Sequence, residues 1–452
     1  MNLLILRPYY GITVCSDMMG DLGIAEHLPQ VLPDLSLIYA ATIAKNDKAL
    51  DLDIIDANAE KLFPKDVIKR LGKKYDVILL KTASPTIKYD IDFARYLKKN
   101  NYTSRIVLGG HTAKLLKNWI AKHAPEIDDV SEVPIEYYVN GMLENGLPSL
   151  DINEFPTLDY TLFPYDKYVL LTGDMRGSLY MSRGCAVGCS YCPYASFYGK
   201  KFEFRSVDKV IEDIKHQLSL GFKTIQFRDQ FFTADRKRVF ELCRSIIDQG
   251  LKFEWYCETR LESLDPELID IMVEAGLIFI SFGVESAQGD TLQNYNRPVY
   301  GLEKTKSLID YLHEKNVITL AFYIVGFPDE TWDTLQSTYN LALKLASKCA
   351  VFNIYMPSLK EEEFKKQYPD IEITPDLFIP FENTLNLKSA RNFSLEQMIE
   401  LKTQLSFLYQ ASVPEPDALQ DAFENHLRAS KKYVSAVKSL RAKLEEVSIM
   451  EI

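Results

Sequence analysis

Cysteine is scarce in this sequence: seven in 452 residues, three of them within eight positions. The other four, Cys15, Cys243, Cys257 and Cys349, are scattered, which excludes a disulfide framework and favours a reducing, cytoplasmic setting. No run of eighteen apolar residues exists, so no membrane span is expected. The opening stretch, MNLLILRPYYG, lacks a basic region and a small-residue cleavage site and does not read as a secretory signal. Positive charge is not in excess: 52 Lys and Arg face 63 Asp and Glu, a net charge of −11. That argues against a nucleic-acid surface as the default partner. No internal repeat or low-complexity tract is present.

What remains is a globular composition, 47% apolar and 25% charged, in a chain too long for one ordinary core. Residues 1–150 alternate strand and helix signals: NLLILRP, LSLIYAATIAKN, LDLDIIDA, FPKDVIKRLGKK, DVILLKTAS, YDIDFARYLKKN and RIVLGGHTA. This order predicts an α/β fold with a parallel sheet, whose ligands sit at the carboxyl ends of the strands. Residues 151–176 carry prolines and aromatics without a period and read as a connector laid across a surface. Its aromatics, Phe155, Tyr160, Phe163, Tyr165 and Tyr168, suit either a flat apolar ligand or packing between domains.

A second alternation fills residues 177–359 with six β/α units. Ser206 opens one helix, and Asp265 with Pro266 opens another that Gly276 follows. Six units in series predict a full or partial parallel barrel, with its chemistry on loops at the carboxyl ends of the strands. Residues 360–452 read as mainly helical, with Ser394 and Gln397 forming a capping box and a charged amphipathic segment over 419–447.

The cysteine cluster lies in RGCAVGCSYCPY, where Cys185, Cys189 and Cys192 follow the first barrel strand. Three ordinary core cysteines fit poorly in a stretch rich in Gly, Ser and Pro. A structural zinc site wants four ligands, and no second cysteine pair exists; His216 lies on a predicted helix. An iron–sulfur cluster normally takes four thiolates. A 4Fe-4S cluster held by three leaves one iron open to a non-protein ligand.

Cys185-x3-Cys189-x2-Cys192, with Tyr191 before the last cysteine, resembles the signature of the radical SAM superfamily. The resemblance implies that the open iron chelates S-adenosylmethionine (SAM), whose reductive cleavage gives a 5′-deoxyadenosyl radical. It assigns SAM contacts to strand-end residues. Glu258 and Arg260 end the third strand, Arg260 facing the SAM carboxylate. Glu285 and Ser286 end the fourth, Glu285 facing the ribose. Gly326 ends the fifth, near adenine, and Tyr191 flanks adenine. Asp229 ends the second strand and either contacts SAM or substrate or caps the next helix.

The N-terminal half resembles the Rossmann-like cobalamin-binding domain that precedes many radical SAM domains, through PDLSLIYAATIAKN, DIIDA, DVILLKTASPT and RIVLGGHTA. That resemblance carries Thr82, Ser84, Gly109, Gly110 and His111 over as contacts to the cobalamin tail. The Asp-x-His-x-x-Gly signature is absent, so no imidazole is expected below cobalt. The implied fold is a Rossmann-like domain, a partial (β/α)6 TIM-like barrel and a helical C-terminal region. The implied activity is a cobalamin-dependent radical SAM methyltransferase acting on an unactivated carbon of a small molecule, fed by an electron donor such as flavodoxin or ferredoxin. A radical SAM cyclase, oxidoreductase or ring-rearranging enzyme is the alternative, and a non-catalytic cobalamin or SAM sensor is a third.

Overall fold

The computed structural model describes residues 1–26, 30–100, 103–144, 146, 151–170, 172–299 and 301–412. The segment expected to be a charged helix over 419–447 lies outside the described residues.

Apolar runs flanked by turn residues build the first sheet. β1 (Asn2–Arg7) is followed by a hairpin of β2 (Thr13–Cys15) and β3 (Ile24–Glu26), then by β4 (Asp51–Asp56), β5 (Val77–Lys81), β6 (Arg105–Gly109) and β7 (Asp129–Val130). All but the hairpin pair in parallel in the order β4-β1-β5-β6-β7. β5 is buried throughout, as a central parallel strand with both faces covered must be. The helix Leu35–Lys45 starts where Asp34 accepts a bond from the Leu37 backbone N–H at 3.1 Å. It is buried all round because it lies between the two halves of the molecule. Its Tyr39 contacts Phe155 of the connector and Tyr180 of the second half, at 5.3 and 6.3 Å between ring centroids.

The second sheet runs β8 (Arg176–Leu179), then, after a short antiparallel pair of β9 (Ser182–Arg183) with β10 (Glu203–Phe204), β11 (Thr224–Phe227), β12 (Glu254–Thr259), β13 (Leu277–Glu285), β14 (Ile318–Val325) and β15 (Cys349–Ile354). The six longer strands are parallel and in sequence order, as an open barrel requires. Four of the helices between them start on Ser206, Asp235, Asp265 and Thr331, each side chain accepting an N-terminal backbone N–H. Gly276 turns into β13 at φ +103, where a Cβ would stand 2.3 Å from the Phe253 carbonyl oxygen.

Two expectations change. The first barrel strand breaks after Leu179, because Asp229 takes the Met181 N–H at 3.1 Å and the Ser182 hydroxyl, drawing this stretch out of the ladder. The connector is not laid across a surface. It makes three short 3-10 turns and buries Ile152, Phe155, Leu158, Tyr160, Phe163 and Tyr168 in the core shared by both sheets. The Tyr168 hydroxyl donates to Asp56 at 2.9 Å and that of Tyr160 to the Ser178 carbonyl at 2.6 Å. These aromatics pack between the halves, with polar tips satisfied.

In the C-terminal region the described helices are Glu361–Gln367 and Leu395–Ser412, separated by irregular chain. The Ser394–Gln397 capping box is present, with reciprocal bonds of 2.8 and 3.2 Å. No helix among the described residues is long and apolar enough to cross a membrane.

Candidate functional site

Along β12, β14 and β15, residues facing the helices are buried while the alternate residues facing inward stay half-exposed. The registers align Glu258 with Ser281 and Leu320, and Gly283 with Phe322 and Val351, on that inner face. In a closed barrel this face would be packed with side chains. Here it forms the wall of an open chamber.

The cysteine loop closes the chamber's carboxyl end. Cys185, Cys189 and Cys192 are free, half-buried thiols. The loop is fixed by backbone bonds from Cys185 to Gly199, from Cys192 to Cys189 and from Ser190 to Tyr295. Gly184 makes the entry turn at φ +76; a Cβ there would stand 2.0 Å from the Lys201 carbonyl oxygen. Burial, then the neighbouring thiols, push Cys192 up to about 12, although a backbone N–H at Tyr194 opposes the shift. Among the described residues no three His, Cys, Asp or Glu side chains converge on one metal ion. Thiols spread around a loop suit a cluster, in which each binds a separate iron. A cavity of about 140 Å³ adjoins Cys189, Tyr191 and Cys192 and reaches Lys200, Lys360 and His111.

The carboxylates at the strand ends face this loop. Glu258 is pushed up to about 7, first by burial and then by Glu285. Glu285 holds φ +74, strained for a residue with a Cβ, and lies 3.4 Å from Arg297. Arg297 also donates to the Gly283 carbonyl at 2.5 Å. Tyr191, Tyr295, Phe327 and Tyr355 form an aromatic wall, with neighbouring centroids 5.1 to 6.5 Å apart.

Other expected SAM contacts have partners within the chain. Arg260 pairs with Glu262 two residues on. Asp229, pushed up to about 7 by burial, holds Met181 and Ser182; the cap of the next helix is Asp235 instead. Ser286 accepts the Gln288 N–H at 3.1 Å and lies 3.3 Å from the Thr338 hydroxyl. Gly326 turns at φ +83 with its N–H on Glu330 at 3.1 Å.

In the first half, Thr82, Ser84, Gly109, Gly110 and His111 do come together at the strand ends, beneath the loop of residues 16–23. Ser84 N–H donates to the Leu22 carbonyl at 2.6 Å and His111 N–H to the Asp21 carbonyl at 3.2 Å. Nδ1 of His111 bonds the Gly20 carbonyl at 2.8 Å, and burial holds the ring down to about 4, so it is neutral. Its Nε2 lies 3.1 Å from Ser196 Oγ, beside the cysteine loop. The Thr82 hydroxyl bonds the Gly109 carbonyl at 3.0 Å, and the Ser84 and Thr112 hydroxyls meet at 2.9 Å. A Cβ on Gly110 would stand 2.7 Å from the Thr82 carbonyl oxygen. Arranged this way, the five residues lie under the loop of residues 16–23, whose carbonyls take donors from Ser84 and His111.

Sequence reasoning missed three arginines. Arg183 pairs with Glu136, both side chains at most 2% exposed, inside a ring of Tyr39, Tyr137, Tyr180 and Tyr198. Arg228 pairs with Asp17, and Arg297 with Glu285. Arg183 and Arg228 sit directly before the cysteine turn and Asp229, a position that could have flagged them.

The sequence pattern of the radical SAM superfamily matches residues 179–342. The uncharacterized methyltransferase PH0819 of Pyrococcus horikoshii is 27% identical over 428 residues, 87% of this chain and 91% of its own. The bacteriochlorophyllide d C-12(1)-methyltransferase of Chlorobaculum tepidum is 24% identical over 359 residues, 76% of this chain and 74% of its own. Among solved structures, the radical SAM methyltransferase TsrM from Kitasatospora setae, with cobalamin and a 4Fe-4S cluster bound, superposes with a TM-score of 0.63 at 12% identity. That match covers 83% of this chain and 76% of TsrM. The cobalamin-dependent SAM radical enzyme OxsB gives 0.62 at 14% identity, over 89% of this chain and 61% of its own. At these identities the two matches show a shared fold.

Proposed function

We propose that the chain is a radical SAM methyltransferase that uses SAM, a 4Fe-4S cluster and cobalamin to methylate an unactivated carbon of a small molecule. The observation that carries this reading is the three-thiol loop closing a chamber whose strand ends present Glu258 and Glu285. The methyltransferases similar over most of the chain support methyl transfer over cyclisation. When bound, the cluster supplies one electron to SAM and cobalamin carries a methyl group.

In this reading Cys185, Cys189 and Cys192 would hold the cluster, with SAM bound beside it. Glu285 and Glu258 accept hydrogen bonds from the SAM ribose and amine. Arg260 serves the SAM carboxylate by exchanging Glu262 for it. The backbone at Gly326 and the ring of Tyr191 border adenine, and Asp229 and Ser286 position the strand ends around it. The apolar stretch of Phe279, Leu320, Phe322 and Val351 on the inner face would limit water beside the reacting carbon. Thr82, Ser84, Gly109, Gly110 and His111 would border the cobalamin tail at the strand ends. The domain limits 1–150, 151–176, 177–359 and 360–452 belong to the same reading. So do a reducing cytoplasmic setting, supported by free thiols, and a flavodoxin- or ferredoxin-type electron donor.

The test is anaerobic reconstitution with iron and sulfide, then incubation with reductant and methyl-labelled SAM. Formation of 5′-deoxyadenosine, with label transferred to candidate substrates when cobalamin is added, is the expected result. No SAM cleavage by cluster-loaded protein with any substrate overturns the reading.

A further inference from the structure

Arg176 begins β8 at the edge of the open barrel. A Cβ on its neighbour Gly177 would run into Gln217 of the covering helix, so Gly177 faces outward and Arg176 inward. The guanidinium lies over the Tyr256 ring, 4.7 Å from its centroid, and donates to Gln226. Both partners are on the half-exposed inner face. Arg176 itself is only 8% exposed. Its Nε has no hydrogen-bond partner, and none of the ion pairs among the described residues includes it. The hairpin brings Glu26 and Cys15 into its surroundings, and Arg228 approaches from β11, where Asp17 neutralises it. A buried guanidinium with no carboxylate paired to it among the described residues is costly unless a ligand completes it.

The chamber above it is two-sided. Phe279, Leu320, Phe322 and Val351 are half-exposed on the inner face of β13 to β15. Tyr256 is two residues before Glu258 and four before Arg260. At about 3.3 Å per residue, its layer lies about 7 and 13 Å below those strand ends.

We propose that Arg176 holds an anionic group of the substrate, a carboxylate or a phosphate, while the substrate's apolar body lies along Phe279, Leu320, Phe322 and Val351. A guanidinium fork suits both anions. The far end of such a molecule reaches the cysteine loop; that placement of the reacting carbon rests on the radical SAM reading, whereas the anion site does not.

The test is calorimetric binding of three probes, decanoate, decyl phosphate and decanol, to the cluster-loaded full chain. At least one anion is expected to bind about tenfold or more tighter than decanol. Which of the two is favoured names the head group. Arg176→Gln is expected to remove that preference and leave decanol binding unchanged. Equal binding of all three probes to the parent, or a preference that survives Arg176→Gln, overturns the proposal. Circular dichroism and iron content report whether this variant folds. If it does not, Arg176→Lys is read instead, with a several-fold weaker preference expected and an unchanged one overturning the proposal. No SAM cleavage is needed, so failure of the radical chemistry and failure of the anion site give separate results.

Discussion

Asp17 Oδ1 accepts a bond from Arg228 Nη2 at 2.8 Å, tying the loop after β2 to the carboxyl end of β11 across 211 residues of sequence. Both side chains are nearly inaccessible, at 0% and 4% exposure. The pair replaces solvent around two charges, so removing one leaves the other stranded. Asp17→Asn is expected to cost about 3–5 kcal/mol, read from urea unfolding. The double variant Asp17→Asn/Arg228→Gln should lose less than the sum of the single losses. Additive losses would mean the two charges do not compensate each other.

Cluster assembly separates the cysteines into two classes. Cys185→Ala, Cys189→Ala and Cys192→Ala are each expected to abolish the brown absorbance and most bound iron after reconstitution. Cys243→Ala, buried on the helix Arg236–Asp248, should keep full iron. Full iron in any of the first three would remove that residue from the ligand set.

The alternation of strands and helices, the cysteine loop and the caps at Asp265 and Ser394 are legible because each depends on neighbours within a few residues. Local apolar runs set strands, and a carboxylate or hydroxyl three residues before an N–H sets a helix start. The connector was misread because its aromatics follow no helical or strand period; only the two sheets they join give them an inside. The Asp17–Arg228 and Glu136–Arg183 pairs were invisible because their members belong to different halves of the chain. The same holds for the loop at 16–23. Its position is fixed by bonds to the backbone of Ser84 and His111, which no spacing encodes.

Asp90 predicts how stability depends on pH. It is fully buried, bonded to the Tyr10 and Thr86 hydroxyls at 3.0 Å each, and burial pushes it up to about 8. A carboxyl with a raised folded value keeps its proton in the native state and loses it in the unfolded chain near pH 4. The native state therefore binds more protons between about pH 4 and 8, and stability falls as pH rises through that window, by about 1.4 kcal/mol per unit. Asp90→Asn should flatten this dependence and gain stability at pH 7 to 8 relative to the parent. Other buried acids share the direction, so the difference between the two proteins, measured by urea unfolding at pH 5 and 8, isolates Asp90. Parallel pH curves would contradict a protonated Asp90.

The loop at 16–23 sets the condition for cobalamin. Asp21 pairs with Lys81 in a fully buried contact, and its carbonyl and those of Gly20 and Leu22 accept bonds from His111 and Ser84. A corrinoid tail that reaches Thr82, Gly109 and Gly110 must displace these contacts. Hydroxocobalamin is therefore expected to bind slowly, with hydrogen exchange rising in residues 16–23 as it binds. Asp21→Asn removes the charge that Lys81 holds while keeping the loop's size, and should speed binding several-fold, followed by the corrinoid absorbance shift. Burial pushes Asp21 up to about 7 against the pull of Lys81, so the same loosening is expected from lowering the pH through that value. Binding that leaves exchange in 16–23 untouched would place the corrinoid away from these strand ends.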